Sequence, residues 1–231
     1  MTPVNNFPYF AKYSTPRAFV DILFPDPVEL NDMYGNIIQT KSLPYSERIN
    51  KVYFRENFTS FRAVGKDLLS SVRVQVHLLS DQYPHLFDIG LVGASSNKIE
   101  QWNGFEDLMH SLNLTPCATN SCAEANQFKF QLDLDGRMGS GRTVWILKYG
   151  SVMLKVMSPF QQYADPFLVP FKHYIPVDQH MHYLKPITEW CLNNPELMET
   201  IAANTVDLLP NIIPFKGNLF IGRFCWKNTP Y

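Results

Sequence analysis

From residue 51 onward, the apolar positions fall into short runs and helical stripes that alternate along the chain. Lys51–Arg55 reads as a short strand ending in a turn. Val64, Leu68, Leu69, Val72, Val76 and Leu79 recur every three or four residues, which predicts an amphipathic helix from about Arg62 to Asp81. Leu86–Val92 is a brief apolar run closed by glycine, as expected of a strand buried on both faces. Gly104–Asn113 is a helix candidate, and Phe128–Leu134 alternates before stopping at Asp135-Gly136. Gly141–Lys148 predicts a short helix ended by Gly150, and Ser151–Met157 a second buried strand. Tyr174–Val177 is another short strand. Two helices follow, Met181–Asn193 and Pro195–Leu209, the second opened by proline at a favoured first-turn position.

Strand and helix therefore alternate over residues 51–209, the order of a Rossmann-like, doubly wound α/β sheet with a mostly parallel core. Ligands of such sheets bind beyond the carboxyl ends of the strands. Residues 1–50 differ: they are rich in Pro, Asn and aromatics, with apolar runs only at Phe7–Phe10 and Phe19–Phe24. They read as irregular structure with one or two short strands. The tail 210–231 carries Phe215, Phe220, Phe224 and Trp226 and is expected to pack back onto the body.

Composition narrows the function. Apolar residues are 45% and charged residues 18%, enough for a sizeable core and unlike a disordered chain. Lys+Arg 20 against Asp+Glu 21 leaves net charge -1, without the basic excess that nucleic-acid binding requires. The four cysteines, Cys117, Cys122, Cys191 and Cys225, form neither a disulfide framework nor a zinc-ligand spacing. The N-terminus has no basic stretch followed by an apolar run, and no segment approaches 18 apolar residues. The expectation is a cytoplasmic chain with no signal peptide and no transmembrane helix.

Two stretches carry candidate chemistry. In Asp133–Arg142 a strand runs into a glycine-rich, hydroxyl-bearing turn and then a helix. Glycines let backbone N–H groups approach an anion, a helix start adds partial positive charge, and Arg137 and Arg142 suit phosphate oxygens. The alternative is an ordinary turn with two solvated arginines. In Val52–Arg62 a strand again ends in a polar turn, where Asn57, Thr59 and Ser60 can cap a helix. Arg62 in that helix's first turn opposes the dipole, a mild misfit that favours an anion nearby. Asp133 and Asp135 also fit an Asp-x-Asp clamp for a divalent cation, as in metal-dependent glycosyltransferases of the GT-A fold. His180 and His182 read as a solvated connection, and His173 as a structural histidine.

Phe54-Arg55-Glu56-Asn57-Phe58-Thr59-Ser60-Phe61-Arg62 resembles the glycosyltransferase family 90 motif Phe-Arg-Gly-Ser-x-Thr-Ser/Gly followed by Arg. Lys129–Gly136 with Ser140 and Arg142 is similar to that family's Lys-Tyr…Asp-Gly…Ser-x-Arg block. Ser151–Lys155, Ser158-Pro159 and Pro170–Val177 follow in the family's order, so the resemblance covers about residues 7–209. It implies the C-terminal, nucleotide-sugar-binding domain of a GT-B transferase at 51–209, with 1–50 a remnant of the acceptor-side domain. It implies an inverting transfer of glucose or xylose from UDP-glucose or UDP-xylose to a protein or glycan hydroxyl, without a metal or other cofactor. Family members are often found in the endoplasmic reticulum or Golgi lumen. By the same resemblance, Asn57, Arg62, Arg137, Met138, Gly139, Ser140, Gly141 and Arg142 would hold the donor. Gln162 would stand on the sugar side, where the family commonly has glutamate, and Glu56 replaces the motif's glycine. The family's base aspartate has no counterpart here, which leaves Asp21 and Asp26 as the nearby carboxylates. A chain without that base is also compatible with a UDP-sugar-binding homologue or subunit that does not catalyse transfer.

Overall fold

The computed structural model describes residues 10–11, 13–14, 22–23, 43–58, 69, 71–94, 105–118, 122–136 and 139–212. Five parallel strands form one sheet: β1 (Ile49–Phe58), β2 (Phe87–Ala94), β3 (Phe128–Asp133), β4 (Val152–Val156) and β5 (Ile175–Val177). Their order is β2-β1-β3-β4-β5. Helices α1 (Val72–Gln82), α2 (Phe105–Ser111), α3 (Cys122–Ala125), α4 (Thr143–Tyr149), α5 (Leu184–Leu192) and α6 (Pro195–Ile212) intervene or follow.

Alternation along the strands fixes which helix covers which face. Val52, Phe54, Phe130, Leu132, Val152, Leu154 and Ile175 share one cluster with Val76 of α1, Leu184 of α5 and Met198 and Ile201 of α6. Between them in sequence, Tyr53 packs with Ala125 of α3, and Met153 with Val144, Ile146 and Leu147 of α4. Both faces are therefore covered. This explains why β4 reads as an apolar run, and it buries even the polar alternates Gln131 and Asp133 of β3. The doubly wound, Rossmann-like sheet expected from the sequence is the one observed.

Two boundaries differ from expectation. β1 runs through Asn57 to Phe58 instead of turning at Arg55, because β2 continues alongside it: Glu56 is registered with Leu91 and Phe58 with Ala94. Asn57 is thus a strand residue and not a helix cap. The described part of the first helix begins at Val72, after Ser71; Val64 and Leu68 of the expected stripe lie outside the described residues. In the N-terminal part, Phe10–Ala11 pairs in parallel with Ile22–Leu23, and Tyr13–Ser14 pairs antiparallel with Gln161–Gln162. Of the tail, Pro210–Ile212 continues α6; Phe215, Phe220, Phe224 and Trp226 lie outside the described residues. Gly150 ends α4 in the left-handed region at φ 63°.

Candidate functional site

In this strand order the chain moves from β1 outward to β2, then returns to lay β3 against the other edge of β1. Connections leaving β1 and β3 in opposite directions open a crevice beyond their carboxyl ends, the place where open α/β sheets bind ligands. β1 ends in Glu56-Asn57-Phe58, and β3 leads into Leu134-Asp135-Gly136.

Arg142 is brought to this crevice. Its side chain is only 7% exposed, and its Nε and Nη2 donate to Oε1 of Glu56 at 2.9 and 2.8 Å. Nη2 also donates to the Arg55 carbonyl, and the guanidinium lies over the rings of Phe54 (4.5 Å) and Trp145 (5.5 Å). The remaining nitrogen, Nη1, is buried and has no hydrogen-bond partner among the described residues. Such an atom is costly unless a ligand supplies an acceptor.

Arg73 of α1 stands beside it. Nε donates to the Asp135 carbonyl at 3.1 Å, Nη1 donates to the Asn57 carbonyl, and the guanidinium lies over the Phe54 ring at 5.5 Å. One side chain thereby ties the ends of β1 and β3 together. Burial pushes its pKa down to about 10; Glu56 opposes that shift, and the charge of Arg142 adds to it. Sequence reasoning passed over Arg73. It sits among Val72, Val74 and Val76, where an isolated arginine reads as the wet side of an amphipathic helix. No local pattern in the sequence marks it as buried.

The glycine-rich turn is held from below by Asp133. Its buried Oδ2 accepts from Lys155 Nζ at 2.8 Å and Thr143 Oγ1 at 2.9 Å, and the Ser140 hydroxyl also hydrogen-bonds this carboxyl. Burial alone would raise the Asp133 carboxyl; the Lys155 charge and these hydrogen bonds hold it below the usual range. Burial would likewise lower Lys155, but Asp133 and Asp165, whose Oδ1 lies 3.1 Å from Nζ, hold it above the ordinary lysine value. Ser140 Oγ accepts the Arg142 N–H at 3.2 Å, Gly139 has φ 23°, and Gly141 is exposed. Asp135 Oδ2 accepts from Ser158. Asp133 and Asp135 are therefore engaged with different partners in this structure. Among the described residues there is no group of three or more His, Cys, Asp or Glu placed to hold a metal ion.

Of the other candidates, Asn57 is exposed at the end of β1 and contributes its carbonyl to Arg73. Gln162 is buried in the short antiparallel pair with Tyr13, and its N–H donates to Asp165. Its neighbour Gln161, rather than Gln162, lines a cavity of about 300 Å³ beyond the carboxyl ends of β4 and β5, together with Lys155, Ser158, Phe160, Asp165 and Tyr174. Asp21, Asp26, Arg62, Arg137 and Met138 lie outside the described residues. α4 has only seven residues, so the positive character of this turn rests on guanidinium groups more than on a helix dipole. His173 accepts the Val169 N–H at Nδ1, as a structural histidine does. His180 and His182 stack on each other over Asp178, which accepts both their backbone N–H groups.

The chain is 28% identical over 131 residues to protein O-glucosyltransferase 3 of Mus musculus, a match that spans 56% of this chain and 24% of that protein. It is 25% identical over 202 residues to the uncharacterized protein 027R of Frog virus 3, spanning 80% of this chain and 20% of that one. The chain thus spans about a quarter of the length of the first of these relatives or less. Among solved structures, the Anabaena protein HepE in complex with UDP and glucose superposes with TM-score 0.46 at 11% identity, over 80% of this chain and 48% of that one. A sucrose-phosphate synthase from Thermosynechococcus elongatus superposes with TM-score 0.47 at 14% identity, over 82% and 45%. The pattern of the family described as Glycosyl transferase family 90 matches residues 2–211, nearly the whole chain. The chain belongs to glycosyl transferase family 90.

Proposed function

We propose that this chain is the nucleotide-sugar-binding part of a GT-B glycosyltransferase, moving glucose or xylose from a UDP-sugar to a hydroxyl of a protein or glycan, with inversion and without a metal. The observation that carries the reading is Arg142, a buried guanidinium with an unpartnered Nη1 at the switch point of the sheet. In this reading the diphosphate lies against Arg142, with Arg62 reaching it as the family resemblance implies. The sugar and nucleoside extend toward the cavity beyond β4 and β5, whose hydroxyl, amide and carboxylate groups suit a polyhydroxylated ligand.

The acceptor hydroxyl gives its proton to a general base as its oxygen attacks the anomeric carbon from the face opposite UDP. The bond from that carbon to the β-phosphate oxygen breaks, and negative charge accumulates on the departing diphosphate. Fixed guanidinium groups stabilise that charge in the transition state, the role a cation fills in metal-dependent transferases. The separate engagement of Asp133 and Asp135 supports this reading over the metal clamp.

Calorimetric titration with UDP, UDP-glucose and UDP-xylose tests it. Arg142→Ala is expected to lose ~1.5–3 kcal/mol of UDP affinity, the value of a charge-assisted hydrogen bond. Unchanged affinity would refute the role. A second reading, donor binding without transfer, is favoured by the pairing of Arg142 with Glu56. UDP binding with neither transfer nor donor hydrolysis would establish it.

A further inference from the structure

The partner of Arg142 is unusual for a diphosphate-binding arginine, because it is itself an anion. Two of the guanidinium's nitrogens, Nε and Nη2, converge on one carboxylate oxygen of Glu56, the arrangement in which arginine grips a phosphate oxygen. The two partners are held very differently. Arg142 is nearly buried and fixed by the Phe54 and Trp145 rings and the Arg55 carbonyl. The Glu56 side chain is 37% exposed at the carboxyl end of β1. The arginine cannot follow a ligand outward, whereas the carboxylate can swing into solvent without unpacking the core.

We infer that Glu56 is an affinity-setting residue of the donor site: its carboxylate occupies the phosphate position on Arg142 and must be displaced when a nucleoside diphosphate binds. The inference rests on the donor-site reading above and adds a determinant that the arginine alone does not supply. Two consequences follow from charge. Ligands carrying a diphosphate compete with the carboxylate, and ligands without phosphate do not. The carboxylate also keeps the guanidinium paired and oriented while the site is empty, which offsets the cost of leaving a buried cation alone.

The test is a set of titrations with UDP and with uridine on the full chain, comparing the unaltered protein, Glu56→Gln, Glu56→Gly and Arg142→Ala, each checked for folding by circular dichroism. Glu56→Gln keeps the shape and removes the charge, so UDP should bind about fivefold more tightly, the worth of a partly exposed ion pair no longer opposing it. Glu56→Gly should tighten UDP at least as much, and uridine affinity should not change in either variant. UDP affinity unchanged or weakened in both Glu56 variants, with Arg142→Ala still losing UDP, overturns the competition and leaves the donor site standing. UDP affinity indifferent to Arg142→Ala removes the donor-site reading and this inference together. Tightening of uridine as much as UDP assigns the effect to packing and also overturns it.

Discussion

Lys155→Met tests the electrostatic base of the site. Lys155 is 14% exposed and sits between Asp133, whose side chain is 1% exposed, and Asp165. Removing the ammonium leaves the Asp133 carboxylate in the interior with only hydroxyl donors from Thr143 and Ser140. Deleting one partner of a buried pair costs ~3–5 kcal/mol, because the survivor is left uncompensated. At ~2–4 °C per kcal/mol for a chain of this size, Tm should fall by about 6–20 °C. The pH dependence has a defined sign. In the unaltered protein the Asp133 pKa is depressed by folding, so its contribution is complete above the unfolded value of about 3.9 and is lost only as pH falls through the lower folded one. In Lys155→Met burial acts without its offset and the folded pKa moves above the unfolded value, so the variant loses stability as pH rises from about 4. The gap between the two proteins should be large at pH 7 and narrow toward pH 4. Asp133→Asn added to Lys155→Met should recover most of the loss. Urea denaturation followed by circular dichroism at both pH values measures this. A loss under ~1 kcal/mol at pH 7, or a gap independent of pH, would refute the buried-pair reasoning.

Further outcomes follow from the same geometry. Arg73→Met strips donors from the Asn57 and Asp135 carbonyls and should cost ~2–3 kcal/mol in urea denaturation. Gly150→Ala places a Cβ 2.9 Å from Val206 Cγ2 at φ +63°, so it should lose ~1–2 kcal/mol in thermal melts, with Val206→Ala relieving only the contact. Gly90→Ala drives a Cβ into Cys117 Sγ, and should destabilise by ~1–3 kcal/mol in the same melts. Chelation with EDTA should leave UDP affinity unchanged; its loss would restore Asp133 and Asp135 as cation ligands.

The sheet was legible because the apolar runs of β2 and β4 and the alternation in β3 stand out without knowledge of their neighbours. The end of β1 was not. Arg55-Glu56-Asn57 has the composition of a turn, and only the length of β2 beside it keeps these residues extended. The glycine-rich turn and Arg142 were visible from local pattern. The pairing of Arg142 with Glu56, 86 residues away in sequence, was not, since no periodicity connects them. From the sequence Asp133 reads as a strand residue or a metal ligand. Its actual work, anchoring Thr143 and Ser140 under the turn, depends on Lys155 arriving from the adjacent strand. Arg73 was hidden for a similar reason: a helical stripe shows which residues are apolar, but not that the helix's first turn hangs over the crevice between β1 and β3.

The most direct measurement is a crystal structure of the chain soaked or grown with UDP. The nucleotide should lie beyond the carboxyl ends of β1 and β3, with a phosphate oxygen within hydrogen-bonding distance of the Arg142 guanidinium and the Glu56 carboxylate turned away. UDP bound at another edge of the sheet, with Arg142 still paired to Glu56, would contradict it.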